Sequence, residues 1–212
     1  MFILIEKIDG ILSKEQFTEI MEDKIQNSLE SFTLAIIDID NFEKVNNYYG
    51  ESVGDKVIEK IASVLKQNLS ANDFVCHNNK DEFNVLFSST SAETGFIMVE
   101  EIRKYLDTNT FQLNGSPKKE VNIKISAGVA NFPRHAKNSI ELYRTSDSAL
   151  FRAKREGKNR VCLGESENMI LKSNYYTKTQ LERLSDLSKK TEKTEAFLLR
   201  EALDDLFEKY SK

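Results

Sequence analysis

Three carboxylates and two amines in this 212-residue chain have the types and spacing for phosphate chemistry. Asp38 lies near the end of the apolar run SFTLAIIDID. Asp81 and Glu82 open a second such run, DEFNVLFS, beside the polar turn Asn78, Asn79, Lys80. If the two runs are neighbouring strands, the carboxylates converge at one sheet edge. Their hard oxygens suit Mg2+, commonly held by one or two carboxylates plus substrate phosphates. Lys154 and Lys158 fall late in a helical stretch and just past it, where they would meet such phosphates as point charges. Taken singly, each acidic residue reads first as a group solvating a strand end. Only the combination points to a site.

The elements that must position these groups follow from periodicity. Ser13 to Ser31 reads as a helix with Ser13 as its N-cap and Phe17, Ile20, Met21 and Ile25 on one stripe. SFTLAIIDID is β-branched and apolar throughout, the pattern of a central strand whose C-terminal end opens into a site. Asn41 to Tyr49 suits a short helix closed by Gly50. Gly54 to Leu69 carries Val57, Ile58, Ile61, Val64 and Leu65 at helical spacing. DFVCH and DEFNVLFS flank the Asn78–Lys80 turn as a hairpin. A helix over Ala92 to Leu106 precedes a turn at Asn114, Gly115, Ser116 and Pro117, after which Val121, Ile123 and Ile125 alternate into a strand. Ser139 to Glu156 is a further helix, stopped by Gly157. The succession predicts an α+β fold with helices packed on a mixed sheet. The polar stretch Gly164 to Asn168 then separates a tail of different character.

Composition narrows the class. Thirty Lys and Arg stand against 34 Asp and Glu, a formal net charge of −4, so any nucleic-acid contact must be local. Cys76 and Cys162 lie far apart without metal-ligand neighbours and read as small apolar residues in a reducing compartment. The N-terminal run MFILIEKID is too short to span a membrane and is broken by Glu6 and Lys7, so a cytoplasmic protein without membrane partners is expected.

The motifs carry a resemblance. DIDNFEKVNNYYGESVGDKV (Asp38 to Val57), NKDEF (Asn79 to Phe83), SAGVA (Ser126 to Ala130) and SDSALFRAKREGKNRV (Ser146 to Val161) resemble, in order and spacing, the motifs of GGDEF-domain diguanylate cyclases. IDGILSKEQF (Ile8 to Phe17) is a weaker echo of the family's opening. The likeness covers roughly residues 8 to 163. It implies a nucleotidyl-cyclase (ferredoxin-like palm) domain over 1–163, with a central, mostly antiparallel sheet flanked by helices. In that family two protomers each hold one GTP and join them into cyclic di-GMP. By resemblance, Asp38, Asp81 and the Ile39 carbonyl would hold Mg2+ or Mn2+ with the bound nucleotide. Asn46 and Asp55 would bind guanine, Lys154 and Lys158 would face the phosphates, and Asp81 and Glu82 would serve catalysis. The signature loop would be Asn79, Lys80, Asp81, Glu82 and Phe83.

The departures from the pattern bear on activity. Asn79 and Lys80 replace the two signature glycines, which allow φ > 0 and close approach to a ligand. Asn tolerates the left-handed region, so the hairpin survives at Asn79, whereas the Lys80 stem would crowd a nucleotide. Glu43 stands where the family has lysine, and Glu51 where it has histidine. The inhibitory R-x-x-D site would fall at Ser70 to Asp73, which keeps the Asp and lacks the Arg. The expectation is a degenerate domain that binds GTP or a cyclic dinucleotide and has lost catalysis.

The tail has its own signature. Thr177 to Gln180 has the T-x-x-Q form of a capping box, and Leu181, Leu184 and Leu187 share one helix face. TEKT breaks that helix, Thr194 caps the next, and Phe197, Leu198, Ala202, Leu203 and Leu206 form its stripe. Two such helices cannot bury enough surface alone, so a partner is needed. The pattern over about 169 to 210 resembles ribbon-helix-helix repressors and antitoxins, with 164–168 as linker and 169–212 as the module. The resemblance implies a homodimer whose paired strands, Met169 to Tyr176 here, enter the major groove of double-stranded DNA. Alternation puts Lys172, Asn174 and Tyr176 on one face, with Lys172 and Asn174 as base readers. Counting back from Thr177 would instead expose Ser173 and Tyr175. Lys193 and Thr194, at a helix N-terminus, would clamp a phosphate. Together the modules predict a nucleotide-responsive transcriptional regulator. The alternatives are an active diguanylate or related dinucleotide cyclase with the tail as dimeriser, and a scaffold with a relic site.

Overall fold

The computed structural model describes residues 10–27, 30–112, 120–165, 174–191 and 194–210. The N-terminal apolar run, the Asn114–Pro117 turn, Lys172, Lys193 and most of the Met169–Tyr176 strand lie outside these residues. Contacts divide the chain between Glu167 and Asn168 into two units.

In the first unit α1 (Lys14–Asn27) begins at a reciprocal cap: the Gln16 N–H donates to Ser13 Oγ and the Ser13 N–H to Gln16 Oε1. Its Phe17 and Met21 are fully buried. Strand β1 (Phe32–Ile39) is buried at every position because both faces are covered, which is why it reads as an unbroken apolar run. Ala35, Ile37 and Ile39 pack with the helices α3 (Glu51–Gln67) and α4 (Ala92–Thr108). Phe32 and Leu34 pack on the other face with Phe17, Met21 and Leu142.

Between β1 and α3 lies α2 (Phe42–Tyr49), closed by Gly50 as expected. The remaining elements are β2 (Phe74–Asn79), β3 (Glu82–Phe87), β4 (Thr110–Gln112), β5 (Glu120–Asn122), β6 (Ile125–Phe132), α5 (Ser139–Arg155) and β7 (Val161–Leu163). The main sheet has the order β2-β3-β1-β6-β7, antiparallel except for the β6–β7 pair. The α+β reading with a mostly antiparallel sheet holds.

Two local expectations need correcting. The hairpin turn falls at Lys80 and Asp81, with β2 running on to Asn79 past an irregularity after His77. Asn79, Lys80 and Asp81 all have negative φ, so this turn needs neither glycine nor a left-handed Asn79. The strand expected from Val121 to Ile125 is two strands: β5 pairs with β4 in a separate ribbon, and β6 begins at Ile125. Val121, Ile123 and Ile125 stay buried in one core across the break, so the alternation continues although the pairing changes.

Helix α5 lies directly on β6. A Cβ on Gly128 would come 2.0 Å from the Ser146 carbonyl oxygen and 2.3 Å from the Leu150 nitrogen. Only glycine allows this approach. Both cysteines are buried and unpaired, and burial pushes the Cys76 thiol up to about 12, in keeping with small apolar residues.

The second unit contains α6 (Lys178–Thr191) and α7 (Glu195–Tyr210). The capping box read from sequence is formed: the Gln180 N–H donates to Thr177 Oγ1 and the Thr177 N–H to Gln180 Oε1. Leu198 is buried, but Leu181, Leu187, Leu203, Leu206 and Phe207 are each more than a third exposed. Residues 174–177 form no strand within the single chain.

Candidate nucleotide site

Asp38 and Glu82 are direct partners across the β1–β3 pair, so their side chains leave the same face of the sheet side by side. The Asp81 carbonyl accepts the Ile39 N–H at 2.9 Å, which ties the hairpin turn to the end of β1. The structure thus brings the predicted carboxylates together. Lys154, in the last turns of α5, reaches this point: its Nζ is 2.6 Å from Asp38 Oδ2, with Asp38 buried and Lys154 partly exposed.

Burial dominates the electrostatics. It pushes the Asp38 carboxyl from 3.8 up to about 6; the Lys154 ammonium opposes the rise, and the charges of Asp81 and Glu82 add to it. Burial also raises Glu82, against a hydrogen bond that its Oε1 accepts from Asn78 Nδ2 at 2.5 Å, while Asp147 and Asp81 push it further up. A carboxyl whose pKa is raised on folding contributes stability that is full below its unfolded pKa and lost as pH rises through the folded value. Relative to Asp38→Asn, the wild-type protein is therefore expected to lose about 3 kcal/mol of stability between about pH 4 and about pH 7. Urea unfolding of both proteins across that range measures the difference; a pH-independent gap would contradict the shift.

Lys158 sits just past α5 with φ 64° and donates from Nζ to Asn41 Oδ1 at 2.9 Å. It lies on the N-cap of α2. Asn46 rests against the bare backbone of Gly54, where a Cβ would come 1.8 Å from its Oδ1. That oxygen is buried without a hydrogen-bond partner, a state that calls for a donor. Asp55 follows Gly54 on α3 and is half-buried. Phe83 is fully buried in the core, so within the signature loop it acts as an anchor.

Several residues that sequence reasoning passed over hold the site in place. Asp40 is buried and accepts from Ser126 Oγ at 2.7 Å and from the Asn159 N–H at 2.8 Å. It joins β1, β6 and the loop after α5. Arg103 extends this link, donating to Asn159 Oδ1 at 2.9 Å and to both Glu100 oxygens at 2.8 Å. The His77 ring packs on Phe83 across the hairpin, with centroids 4.8 Å apart, at the point where β2 becomes irregular. Asp40 could have been found from the second acidic residue of D-x-D; His77 and Arg103 had no signal of their own.

The Asp of the would-be inhibitory site has a structural task. Asp73 accepts the Ser70 N–H at 2.9 Å and the Ser88 N–H at 2.8 Å, closing the base of the hairpin. In the second unit, Asn174 Oδ1 accepts the Tyr175 N–H, Tyr176 is exposed, and the Thr194 carbonyl accepts the Leu198 N–H in the first turn of α7.

The family model for the GGDEF domain of diguanylate cyclases matches residues 6–160. The chain belongs to the GGDEF family. Diguanylate cyclase A of Treponema denticola is 31% identical over 137 residues, 65% of this chain and 36% of that protein. The chain therefore spans little more than a third of that relative. Among solved structures, the GGDEF domain of DgcB from Caulobacter crescentus, in complex with c-di-GMP, is similar with TM-score 0.66 and 25% identity. The match covers 72% of this chain and 91% of that one. The active GGEEF domain of a diguanylate cyclase from Vibrio cholerae gives TM-score 0.67 and 26% identity over 74% and 99% of the two chains. A ribbon-helix-helix model matches residues 173–211, C-terminal to the GGDEF domain.

Carboxylate oxygens suit a hard cation, and Asp38 lies beside the Asp81 turn at one end of two adjacent strands. Among the described residues no group of three or more His, Cys, Asp and Glu is arranged to hold a metal, and no helix is long and apolar enough to cross a membrane.

Proposed function

We propose that the GGDEF domain binds a guanine nucleotide, GTP or cyclic di-GMP, with Mg2+ or Mn2+, and that this binding governs the grip of a paired ribbon-helix-helix on double-stranded DNA. The observation that carries the nucleotide reading is the Lys154 ammonium 2.6 Å from Asp38 Oδ2, at the end of β1 where Glu82 is the direct cross-strand partner of Asp38 and Asp81 occupies the adjoining turn. Asp38, Asp81 and the Ile39 carbonyl hold the cation, which when bound neutralises phosphate charge. Lys154 and Lys158 meet the phosphates, and Asn46 and Asp55 take the guanine edge, where a carboxylate accepts from both ring and amino donors.

The apolar side chains left exposed on α6 and α7 favour pairing with a second chain. Lys172, Asn174 and Tyr176 face the bases in one register of the ribbon, Ser173 and Tyr175 in the other. Lys193 and Thr194 hold a phosphate. Nucleotide controls DNA binding only by binding the two dimer arrangements with different affinity.

A second reading is an active diguanylate cyclase with the tail as dimeriser. The adjacency of Asp38 and Glu82 and a signature hairpin that forms without left-handed residues favour it. Labelled GTP with Mn2+ separates the two: the regulator reading expects retention of GTP without turnover, and cyclic product above background would replace it by the cyclase reading. A mobility shift that responds to nucleotide, and weakens in Lys172→Ala and Asn174→Ala, tests the DNA half. A shift unchanged by nucleotide would rule out coupling.

A further inference from the structure

We propose that Lys154 is a resident counter-ion that keeps divalent cations off Asp38 until a polyphosphate arrives. Its Nζ is 2.6 Å from Asp38 Oδ2, on a carboxylate whose side chain is only 9% exposed, while the lysine side chain is 38% exposed. The ammonium thus has an outward path, and the carboxylate does not. Lys154 projects from α5, which Gly128 seats directly on the β6 backbone, and it shares a face with Asp147 two turns earlier.

A cation entering alone meets two obstacles. It must displace an ammonium already paired with the most buried of the three carboxylates, and it then sits beside that positive charge. It also gains little from the protein alone, because a cation of this kind is commonly held by one or two carboxylates together with substrate phosphates. A triphosphate removes both obstacles. Its oxygens complete the coordination shell, and they offer Lys154 a new partner on the solvent side. Metal and nucleotide therefore tighten each other's binding by one common factor, as linkage requires. Lys154 supplies part of that factor.

The nucleotide half of this inference rests on the reading proposed above; the metal half does not. The test measures Mn2+ binding to the full chain by the paramagnetic resonance of free Mn2+, first without nucleotide. Lys154→Met keeps the length of the stem and removes the charge, and is expected to bind Mn2+ about tenfold or more tightly than wild type. Lys154→Arg retains a charge and should stay as weak as wild type, and adding Asp38→Asn to Lys154→Met should abolish the gain. Equal Mn2+ affinity in wild type and Lys154→Met, with both folded by circular dichroism, would overturn the proposal. In the second arm GTP is added, and the Mn2+ taken up by the same GTP without protein is subtracted: wild type should then bind Mn2+ at least tenfold more tightly, and Lys154→Met should gain less. Absence of any GTP effect in wild type counts against the nucleotide reading alone, because the metal-only comparison still decides the role of Lys154.

Discussion

Gly128→Ala is expected to destabilise the GGDEF domain by about 3 kcal/mol or more, near the upper end for overpacking. The added Cβ would sit 2.0 Å from the Ser146 carbonyl oxygen, 2.3 Å from the Leu150 nitrogen and 3.0 Å from the Ala149 carbonyl carbon. All three are backbone atoms of one helix, so no side chain can rotate away. The methyl can be accommodated only if α5 lifts off β6. Lifting α5 would expose Ala149, Leu150 and Ala153, which are nearly or fully buried. It would also draw Lys154 away from Asp38, so the substitution disturbs the site from below. Urea unfolding gives the loss directly. A change under about 1 kcal/mol would mean that helix and strand are less closely joined than their contact distances require.

Asp38→Asn is expected to weaken Mn2+-dependent GTP binding about 100-fold, because a hard cation holds a neutral amide far less strongly than a carboxylate. The fold should survive, since asparagine matches the shape and removes a carboxylate that burial already disfavours. Asp40→Asn, two residues on, should do the reverse. Asp40 touches no proposed ligand; it accepts one hydrogen bond on each oxygen, from Ser126 and from the Asn159 N–H. An amide can still accept the Asn159 N–H and turn its NH2 to the Ser126 hydroxyl, but it replaces two bonds to a charged carboxylate by weaker neutral ones. The expected cost is about 1–3 kcal/mol of stability, with looser attachment of the Lys158–Asn159 loop. Calorimetric titration of GTP with Mn2+ and urea unfolding on both variants separate the two aspartates. Similar effects of the two substitutions on affinity and stability would contradict the division of roles.

The outcome at particular residues shows what the sequence could convey. Helix starts were legible because a cap is a local matter: Ser13 with Gln16 and Thr177 with Gln180 each need only four residues. The central strand was legible because burial on both faces leaves no polar position in Phe32–Ile37 except Thr33. The hairpin turn was misplaced because Asn78, Asn79 and Lys80 are all turn-prone, and pairing across the sheet, not propensity, decided where β2 ended. The split between β5 and β6 left no mark, since apolar alternation continues across it.

The amino-acid sequence alone determined the family, the order of elements and which carboxylates and lysines are present, because those reside in local pattern and spacing. Tertiary structure decided their states. It set Asp38 beside Glu82 across a strand pair, put the Lys154 ammonium on Asp38, and turned Asp40 and Asp73 into braces. Contacts such as Asp40 with Asn159 join residues more than a hundred positions apart. A charge's burial and its partner depend on how the sheet and α5 pack, and no spacing along the chain specifies that distance.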